Sequence, residues 1–536
     1  MTMTSERILG GEAGDRTIFG QQSRPRLIGL GVVAAGAIVL AAVTQSFWPF
    51  LLALIGMPVV VGMTQKTHRG TALGRWTARR RWKARVKAGH DRFVPWSEDA
   101  WEAARAAEAS SPRRERRAAA RELAGMRVMP DGAAGLGWLR SSHREPGIAW
   151  QSWDGAETTL TVTFEVGGQL RGLQSAEAVD RGAEAFGLFL ANYGASGKLL
   201  RRVQTITRVM PADTAEHEAW VVANLASDAS TALQQSYSEV VQSTSAGSMT
   251  QRHFIVCSWP ISAGFLDVAA SRGEGREGWR ELMDEEIASV EAQLHEAHYT
   301  FVRPLSARRT AALMRHMQDP DMPLDSVADV EPDRFGVPSA DTFSAYVTQP
   351  NEGSQWWHRT ARLSGEAFAA VPRRPLWHLQ LLSLGLDCVR TISFHHVLIP
   401  AAESRARAER DLTSDMAEQY ARARKGQVGD TGLDVTASAA IRRSHDIAPG
   451  SSHHGDAWVG YVTISGRSKA ELQRATRQLE DTCISIGIEA VEWMDSYQAA
   501  AAGTTWPLGR GARGPRRNVG ARVLDAMAGK KQQGEL

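Results

Sequence analysis

The chain opens with a long apolar run that contains one polar break. Residues 27–63 carry no charged side chain. As one helix, at about 1.5 Å per residue, they would reach roughly 55 Å, well beyond the roughly 30 Å apolar core of a bilayer. The pattern therefore predicts a transmembrane helical hairpin with an interfacial tryptophan and a proline in the first turn of its second helix. The predicted hairpin turn consists of Thr44, Gln45, Ser46, Trp48 and Pro49.

A dense basic cluster with interleaved aromatic residues follows this run. It comprises Arg75, Arg79, Arg80, Arg81, Lys83, Arg85 and Lys87, together with Trp76 and Trp82. Basic residues also precede the run, so the positive-inside rule predicts a multi-pass protein of the cytoplasmic (inner) membrane with both termini cytoplasmic. The cluster is interpreted either as a topology signal or as a contact with anionic lipid headgroups. We do not expect direct nucleic-acid binding, because the cluster lies directly against the predicted span.

The remaining residues alternate between strand and helix patterns. Leu160, Val162, Phe164 and Val166 alternate with polar residues, which predicts one strand of a half-buried hairpin whose turn is Asp154-Gly155. Apolar residues at helical spacing predict a long amphipathic helix between Arg276 and His298. Ser468 and Glu471 form a predicted capping box for another helix near the C-terminus. Strand patterns flank both helices, so the sequence predicts the α+β class with largely antiparallel sheets.

These patterns divide the chain into seven parts. The parts are a cytoplasmic N-terminal segment (1–26), the transmembrane hairpin (27–63), a basic juxtamembrane helix and spacer (64–126), a first α+β domain (127–317), an acidic, proline-rich linker (318–338), a second α+β domain (339–508) and a basic disordered tail (509–536). Both α+β domains end with a strand, a long amphipathic helix and a strand. We therefore expect them to be the halves of a degenerate duplication.

Composition and motifs contain little that indicates catalysis. The chain has 536 residues and 43% hydrophobic content, enough for two or three domains with proper cores. Its net charge of +3 is concentrated in the basic cluster and the tail. The three cysteines, Cys257, Cys388 and Cys483, are far apart and fit neither a disulfide framework nor a zinc motif. No phosphate-binding glycine loop, nucleophile elbow or zinc-binding helix is present, so we expect no catalytic residue, no cofactor, no metal and no enzymatic activity.

One histidine–histidine pair and one histidine–cysteine pair are candidate sites. His395 and His396 are neighbours in a predicted strand, so their side chains point to opposite faces and cannot share one metal. His253 and Cys257 share a strand face, but a four-residue separation of roughly 13 Å is too long for a direct pair. We therefore expect all four residues to be structural.

The C-terminal block carries a family resemblance. The strand DAWVGYVTIS, the helix that starts at Ser468, a further strand, Gln498 and the sequence WPLG, together with the apolar hairpin and the basic helix, resemble membrane-anchored conjugal-transfer (type IV secretion) components of actinobacterial mobile elements. In that family, a PrgI-like hairpin precedes a region similar to the non-ATPase part of the transfer ATPase.

The resemblance implies a non-catalytic structural component that docks an ATPase at the cytoplasmic face of the membrane. No motor domain follows WPLG in this sequence, so the ATPase is expected to be a separate chain. The implied partners are cytoplasmic membrane lipids, that ATPase, other subunits of the secretion complex and further copies of the chain in an oligomer. An alternative is an EccE-like subunit of a type VII secretion complex, which also combines two spans with an α+β domain.

Overall fold

A computed structural model describes most of the chain. The described residues are 7–9, 24–67, 70–110, 112–152, 157–168, 175–211, 215–226, 228–245, 248–324, 329–368, 371–373, 386–406, 408–409, 413, 441, 445–448, 454–488 and 491–512. The predicted Asp154-Gly155 turn and most of the predicted tail lie outside these residues.

The described helices precede, connect and follow the strands. They are α1 (Arg24–Thr44), α2 (Trp48–Thr64), α3 (Ala72–Ala88), α4 (Glu98–Ser110), α5 (Arg113–Gly125), α6 (Ala176–Gly194), α7 (Ala215–Asn224), α8 (Thr231–Ser245), α9 (Ala263–Ala270), α10 (Gly275–Glu296), α11 (Ala307–Gln318), α12 (Lys469–Ser485) and α13 (Gln498–Ala502). The long helix predicted between Arg276 and His298 is confirmed as α10. The predicted N-cap of α12 is confirmed, because the Ser468 side chain accepts a hydrogen bond from the backbone N–H of Glu471. The Glu471 carboxylate accepts from the backbone N–H of Arg467, one residue before the N-cap position that a capping box requires.

The described strands are 2 to 12 residues long. They are β1 (Arg7–Leu9), β2 (Lys66–Thr67), β3 (Gly70–Thr71), β4 (Arg92–Pro95), β5 (Met126–Arg127), β6 (Leu136–Arg140), β7 (Ile148–Gln151), β8 (Thr159–Val166), β9 (Arg202–Pro211), β10 (Met249–Pro260), β11 (Val302–Pro304), β12 (Ser339–Asp341), β13 (Tyr346–Asn351), β14 (Ser354–Leu363), β15 (Val371–Arg373), β16 (Val389–Ile399), β17 (Gly455–Gly466) and β18 (Glu492–Trp493).

One large sheet runs through both halves of the chain. It has 14 strands in the order β5-β4-β12-β13-β14-β17-β16-β9-β10-β8-β7-β6, with β11 also beside β8 and β18 beside β14. Its pairs are antiparallel apart from β4 and β5. The predicted α+β class with largely antiparallel pairing is therefore confirmed. The two predicted domains do not have separate sheets, because β9 of the first half pairs with β16 of the second.

The strand order supports the predicted duplication. From the β9–β16 junction, one half runs β9-β10-β8 and the other runs β16-β17-β14. In both halves the second of these strands is followed by a long helix, α10 or α12, and then by a short strand, β11 or β18, that pairs with the third. The first half has the additional short helix α9 before α10. The two halves thus repeat one arrangement on either side of the junction.

The polar side of β8 is buried, contrary to the sequence prediction. Thr159, Thr161, Thr163 and Glu165 are each at most 5% exposed. The apolar residues that alternate with them along β8 point to the other face of the sheet, where they pack against α6, α9 and α10 in a hydrophobic core. On the polar side, the hydroxyl of Thr163 donates a hydrogen bond to the backbone oxygen of Pro507. The prediction that this hairpin is half-buried is therefore wrong, because a segment from the C-terminal end of the described chain covers its second face.

The predicted linker at 318–338 also packs into the body. Phe335 and Val337 are fully buried, and Gln318 at its first position is fully buried too. The Gln318 side chain donates to the backbone oxygen of Phe335 and accepts from the backbone N–H of Val337. Residues 335–337 of this segment therefore belong to the core between α11 and β12.

The predicted transmembrane localisation is wrong. Among the described residues, no helix combines the length and apolar character needed to cross a membrane. α2 has 17 residues, which extend about 26 Å, and it contains Pro58. α1 has 21 residues but begins with Arg24 and Arg26, so its uncharged part extends about 27 Å. Both lengths fall below the roughly 30 Å of a bilayer core. This finding overturns the predicted multi-pass placement in the cytoplasmic membrane with both termini cytoplasmic.

Candidate functional site

The basic cluster forms helix α3, which has a cap at each end. The hydroxyl of Thr71 accepts a hydrogen bond of 3.0 Å from the backbone N–H of Gly74. At the other end, Gly89 has a φ of 81°, and its N–H bonds to the last turn of the helix. α3 contains no acidic residue. Its cations therefore depend on other elements for compensation.

Arg85 attaches one side of α3 to the sheet. Its guanidinium lies 2.9 Å from the carboxylate of Asp341 and 3.1 Å from that of Asp131. It also donates to the backbone oxygen of Ser496 at 2.8 Å and lies 4.4 Å from the ring centre of Tyr497. These partners come from both ends of the body, so Arg85 has a structural role.

Burial changes the pKa of Asp341, one of the two carboxylates that contact Arg85. Asp341 has a side chain only 1% exposed, and this burial raises the pKa of its carboxyl to about 7, although the Arg85 charge opposes the shift. The backbone N–H of Ala499 donates to the same carboxyl at 2.8 Å. Trp82 supports the same side of α3, because its ring meets that of Phe343 edge-on at 6.1 Å.

The opposite side of α3 presents a cationic stripe to solvent. Spacings of three and four residues place its members on one face of a helix. We define this stripe as Trp76, Arg79, Arg80, Lys83 and Lys87, all of which are exposed. The guanidinium of Arg80 lies 5.2 Å from the centre of the Trp76 ring. Of the other predicted residues, Arg75 and Arg81 are also exposed, whereas Trp82 and Arg85 are half-buried.

The predicted turn lies between α1 and α2. Thr44 ends α1, and its hydroxyl donates to the backbone oxygen of Leu40 at 2.7 Å. Gln45 has a positive φ of 49°, and Ser46 follows it before α2. Trp48 begins α2 and is exposed, whereas Pro49 is buried in the first turn.

A polar seam binds the C-terminal segment across the sheet. The side chain of Gln204 in β9 donates to the backbone oxygen of Trp506 at 2.9 Å and accepts from the N–H of Gly509 at 2.7 Å. Ring nitrogen Nε2 of His395 lies 2.7 Å from the backbone oxygen of Thr504. Burial lowers the pKa of His395 to about 4, so the ring is neutral near pH 7. The seam closes the fold, and the neutral His395 ring is part of it.

The described start of the predicted disordered tail belongs to this seam. Besides the Gly509 bond, the guanidinium of Arg510 donates to the side-chain oxygen of Gln151 at 2.7 Å. Residues 509–512 are therefore ordered parts of the body, which corrects the predicted boundary. Residues 513–536 lie outside the described part of the chain.

The residues of the two candidate pairs lie in the central strands β16 and β10. His395 lies in the seam, whereas His396, on the other face of β16, contacts the carboxylate of Asp456 at 2.6 Å. His253 contacts the hydroxyl of Thr207, and the fully buried Cys257 has a thiol whose pKa is raised by burial. Within the described residues, no group of three or more His, Cys, Asp or Glu side chains could hold a metal ion.

Helices α7 and α8 carry an exposed apolar surface that the sequence prediction missed. The two helices are inserted between β9 and β10, and Nε2 of His217 lies 2.8 Å from the hydroxyl of Tyr237 across them. We call this surface the α7–α8 face, and its exposed residues are Trp220, Val222, Leu225, Leu233, Tyr237 and Val240. The signal in the sequence is the helical spacing of Leu233, Tyr237 and Val240 within a Gln- and Ser-rich stretch.

Comparison with known proteins gives no relative. No model of a known protein family matches this chain, and no curated protein matches it either. The functional argument therefore depends on the surfaces described above.

Proposed function

We propose that this protein is a non-catalytic structural component of a conjugal-transfer or other secretion machine, and that it docks a separate ATPase. The observation that carries the proposal is the α7–α8 face. Val222 is 79% exposed, Leu233 is 63% exposed and Trp220 is 62% exposed. Large exposed apolar side chains on two neighbouring helices are typical of protein–protein contacts.

The composition of this face suits a partner surface. Trp220 and Tyr237 are of the types that dominate binding energy at protein interfaces. Leu233 and Val240 lie on the same side of α8 as Tyr237, because spacings of four and three residues share one helix face. Charged residues are few on α8, which carries only Glu239. The α7–α8 face is thus apolar enough to be stabilised by burial against another protein.

The strands on either side of α7 and α8 are paired along most of their length within the sheet. β9 and β10, which bracket α7 and α8, are central strands paired over ten positions from Ser258↔Arg202 to Met249↔Pro211. β9 also pairs with β16, so this part of the sheet is held from both sides. The strands that lead into and out of α7 and α8 are therefore fixed within the sheet, whereas the two helices are exposed along most of their length.

Site-specific photo-crosslinking in the native host tests this proposal. A photo-reactive amino acid at Val222 should crosslink to a chain with a phosphate-binding loop ATPase motif, identified by mass spectrometry. The same amino acid at Ile484, which is 64% exposed on α12, is the matched control and should not form that crosslink. Crosslinks to type VII core subunits would overturn the conjugal-transfer assignment. Equal ATPase crosslinking from both positions, or none from Val222, would overturn docking through this face.

A further inference from the structure

We propose that the cationic stripe of α3 binds single-stranded nucleic acid, with its cations on the phosphates and Trp76 stacked against a base. This site is separate from the α7–α8 face and does not depend on the ATPase proposal. Proteins that hold single strands combine a line of cations with aromatic side chains in the same groove or face. The stripe contains both.

The charges of the stripe are available to a ligand. Among the described residues, Arg79, Arg80, Lys83 and Lys87 form no ion pair with a carboxylate. By contrast, Arg85 of the same helix is held by two carboxylates and lies on the side that faces the sheet. The helix thus separates a structural cation from four cations that face solvent.

The fixed orientation of α3 favours an extended anionic ligand. The contacts of Arg85 and Trp82 with the body hold the helix, so the stripe is presented as a line. From Trp76 to Lys87 it extends about 16 Å, a length that covers several nucleotides. Immobilised cations lose less conformational freedom when they bind phosphates than cations on a mobile chain.

The aromatic content favours nucleic acid over a lipid surface. A helix that lies in a membrane interface buries a broad apolar face. Trp82 of α3 is turned to the body, where it contacts Phe343, and Trp76 is the one aromatic residue in the stripe. Within α3 the stripe has a single tryptophan, 53% exposed among cations, which is a narrow apolar face for one helix and suits stacking on a base.

Fluorescence anisotropy with a labelled thirty-nucleotide poly-dT and the full-length chain tests the proposal. Neutralising the four cations together, as Arg79→Gln, Arg80→Gln, Lys83→Gln and Lys87→Gln, should weaken binding at least about tenfold near 0.1 M salt. It should also reduce the dependence of log affinity on log salt by about 3, because each single-strand phosphate contact contributes about 0.7. A matched control neutralises Arg113, Arg114, Arg116 and Arg117, which are exposed on α5.

Trp76→Ala supplies a readout that charge alone would not change. It should weaken poly-dT binding about tenfold while leaving the salt dependence as in the natural sequence. Circular dichroism and thermal unfolding should show that these surface variants remain folded. The proposal is overturned if the α5 control weakens binding as much as the stripe variant. It is also overturned if the protein binds anionic phosphatidylglycerol vesicles through the stripe but not poly-dT.

Discussion

The side chain of Gln204 in β9 donates a hydrogen bond of 2.9 Å to the backbone oxygen of Trp506, although about three hundred residues separate them. The same side chain accepts a bond from Gly509, so both halves of its amide are used. Trp506 itself is 2% exposed and packs edge-on against Phe335. The first-half strand at the junction of the two halves is thus tied to the last described segment, which stabilises the sheet as one body.

Replacing Gln204 with leucine should destabilise the protein strongly. The change leaves the N–H of Gly509 buried without its partner, at about 1–3 kcal/mol, and removes the bonds that the amide donates to the Ser393 hydroxyl and the Trp506 backbone oxygen, at about 1 kcal/mol each. We expect a loss of about 2–5 kcal/mol in the free energy of unfolding, measured by urea denaturation. The matched variant Gln473→Leu, on the exposed side of α12, should change stability by less than about 0.5 kcal/mol. Equal losses in the two variants would show that the seam contributes nothing specific.

Removing Arg85 should be far more costly than removing its neighbour Lys83. Arg85→Met leaves Asp341 buried without its cation, and breaking such a pair costs about 3 kcal/mol. Lys83→Met removes a charge that is exposed on the same helix and should cost less than about 0.5 kcal/mol. The double variant Arg85→Met, Asp341→Asn should recover part of the loss. Chemical denaturation of all three variants measures these differences, and equal losses from Arg85→Met and Lys83→Met would contradict the attachment of α3.

Asp341 should make one contribution to stability that falls as the pH rises. Its carboxyl has a pKa of about 7 in the folded protein, above the ordinary value of 3.8, so the folded state keeps its proton longer than the unfolded state. The contribution is therefore complete below pH 4 and is lost as the pH rises to 7, at about 1.4 kcal/mol for each pKa unit. Asp341→Asn should become more stable relative to the natural sequence over this interval. A constant difference between the two proteins in urea titrations from pH 4 to 7 would contradict this.

Three buried histidines should have the opposite effect. Burial, followed for the first two by the nearby Arg208 charge, lowers the pKa of His316 and His358 to about 3, and burial lowers that of His395 to about 4. The unfolded chain takes up these protons near pH 6.5, so stability is complete above that value and is lost as the pH falls toward 4. His358→Gln should make this loss less steep, as measured by urea denaturation at several pH values. An unchanged slope would contradict the buried neutral state of His358.

Local patterns predicted many elements but not what covers them. The alternation in β8 identified the strand, yet its threonine face is covered by Pro507, which no short window of sequence relates to it. Arg85 and Lys83 are both basic residues of α3, so the sequence does not distinguish them. Only the fold places Asp341 beside Arg85. The uncharged run was long enough for two spans, whereas the helices that form within it are individually short. The α7–α8 face was missed because exposure cannot be obtained from spacing alone.

Co-purification with an ATPase tests the docking proposal most directly. The full-length chain, isolated from its native host, should carry a separate chain with a phosphate-binding loop in a fixed ratio and should not hydrolyse ATP once that chain is removed. The variant Val222→Ser, Leu233→Ser should lose the partner, while Ile484→Ser, an equally exposed position outside the α7–α8 face, should retain it. ATP hydrolysis by the isolated chain, or an ATPase retained equally by both variants, would contradict a non-catalytic protein that docks its ATPase through α7 and α8.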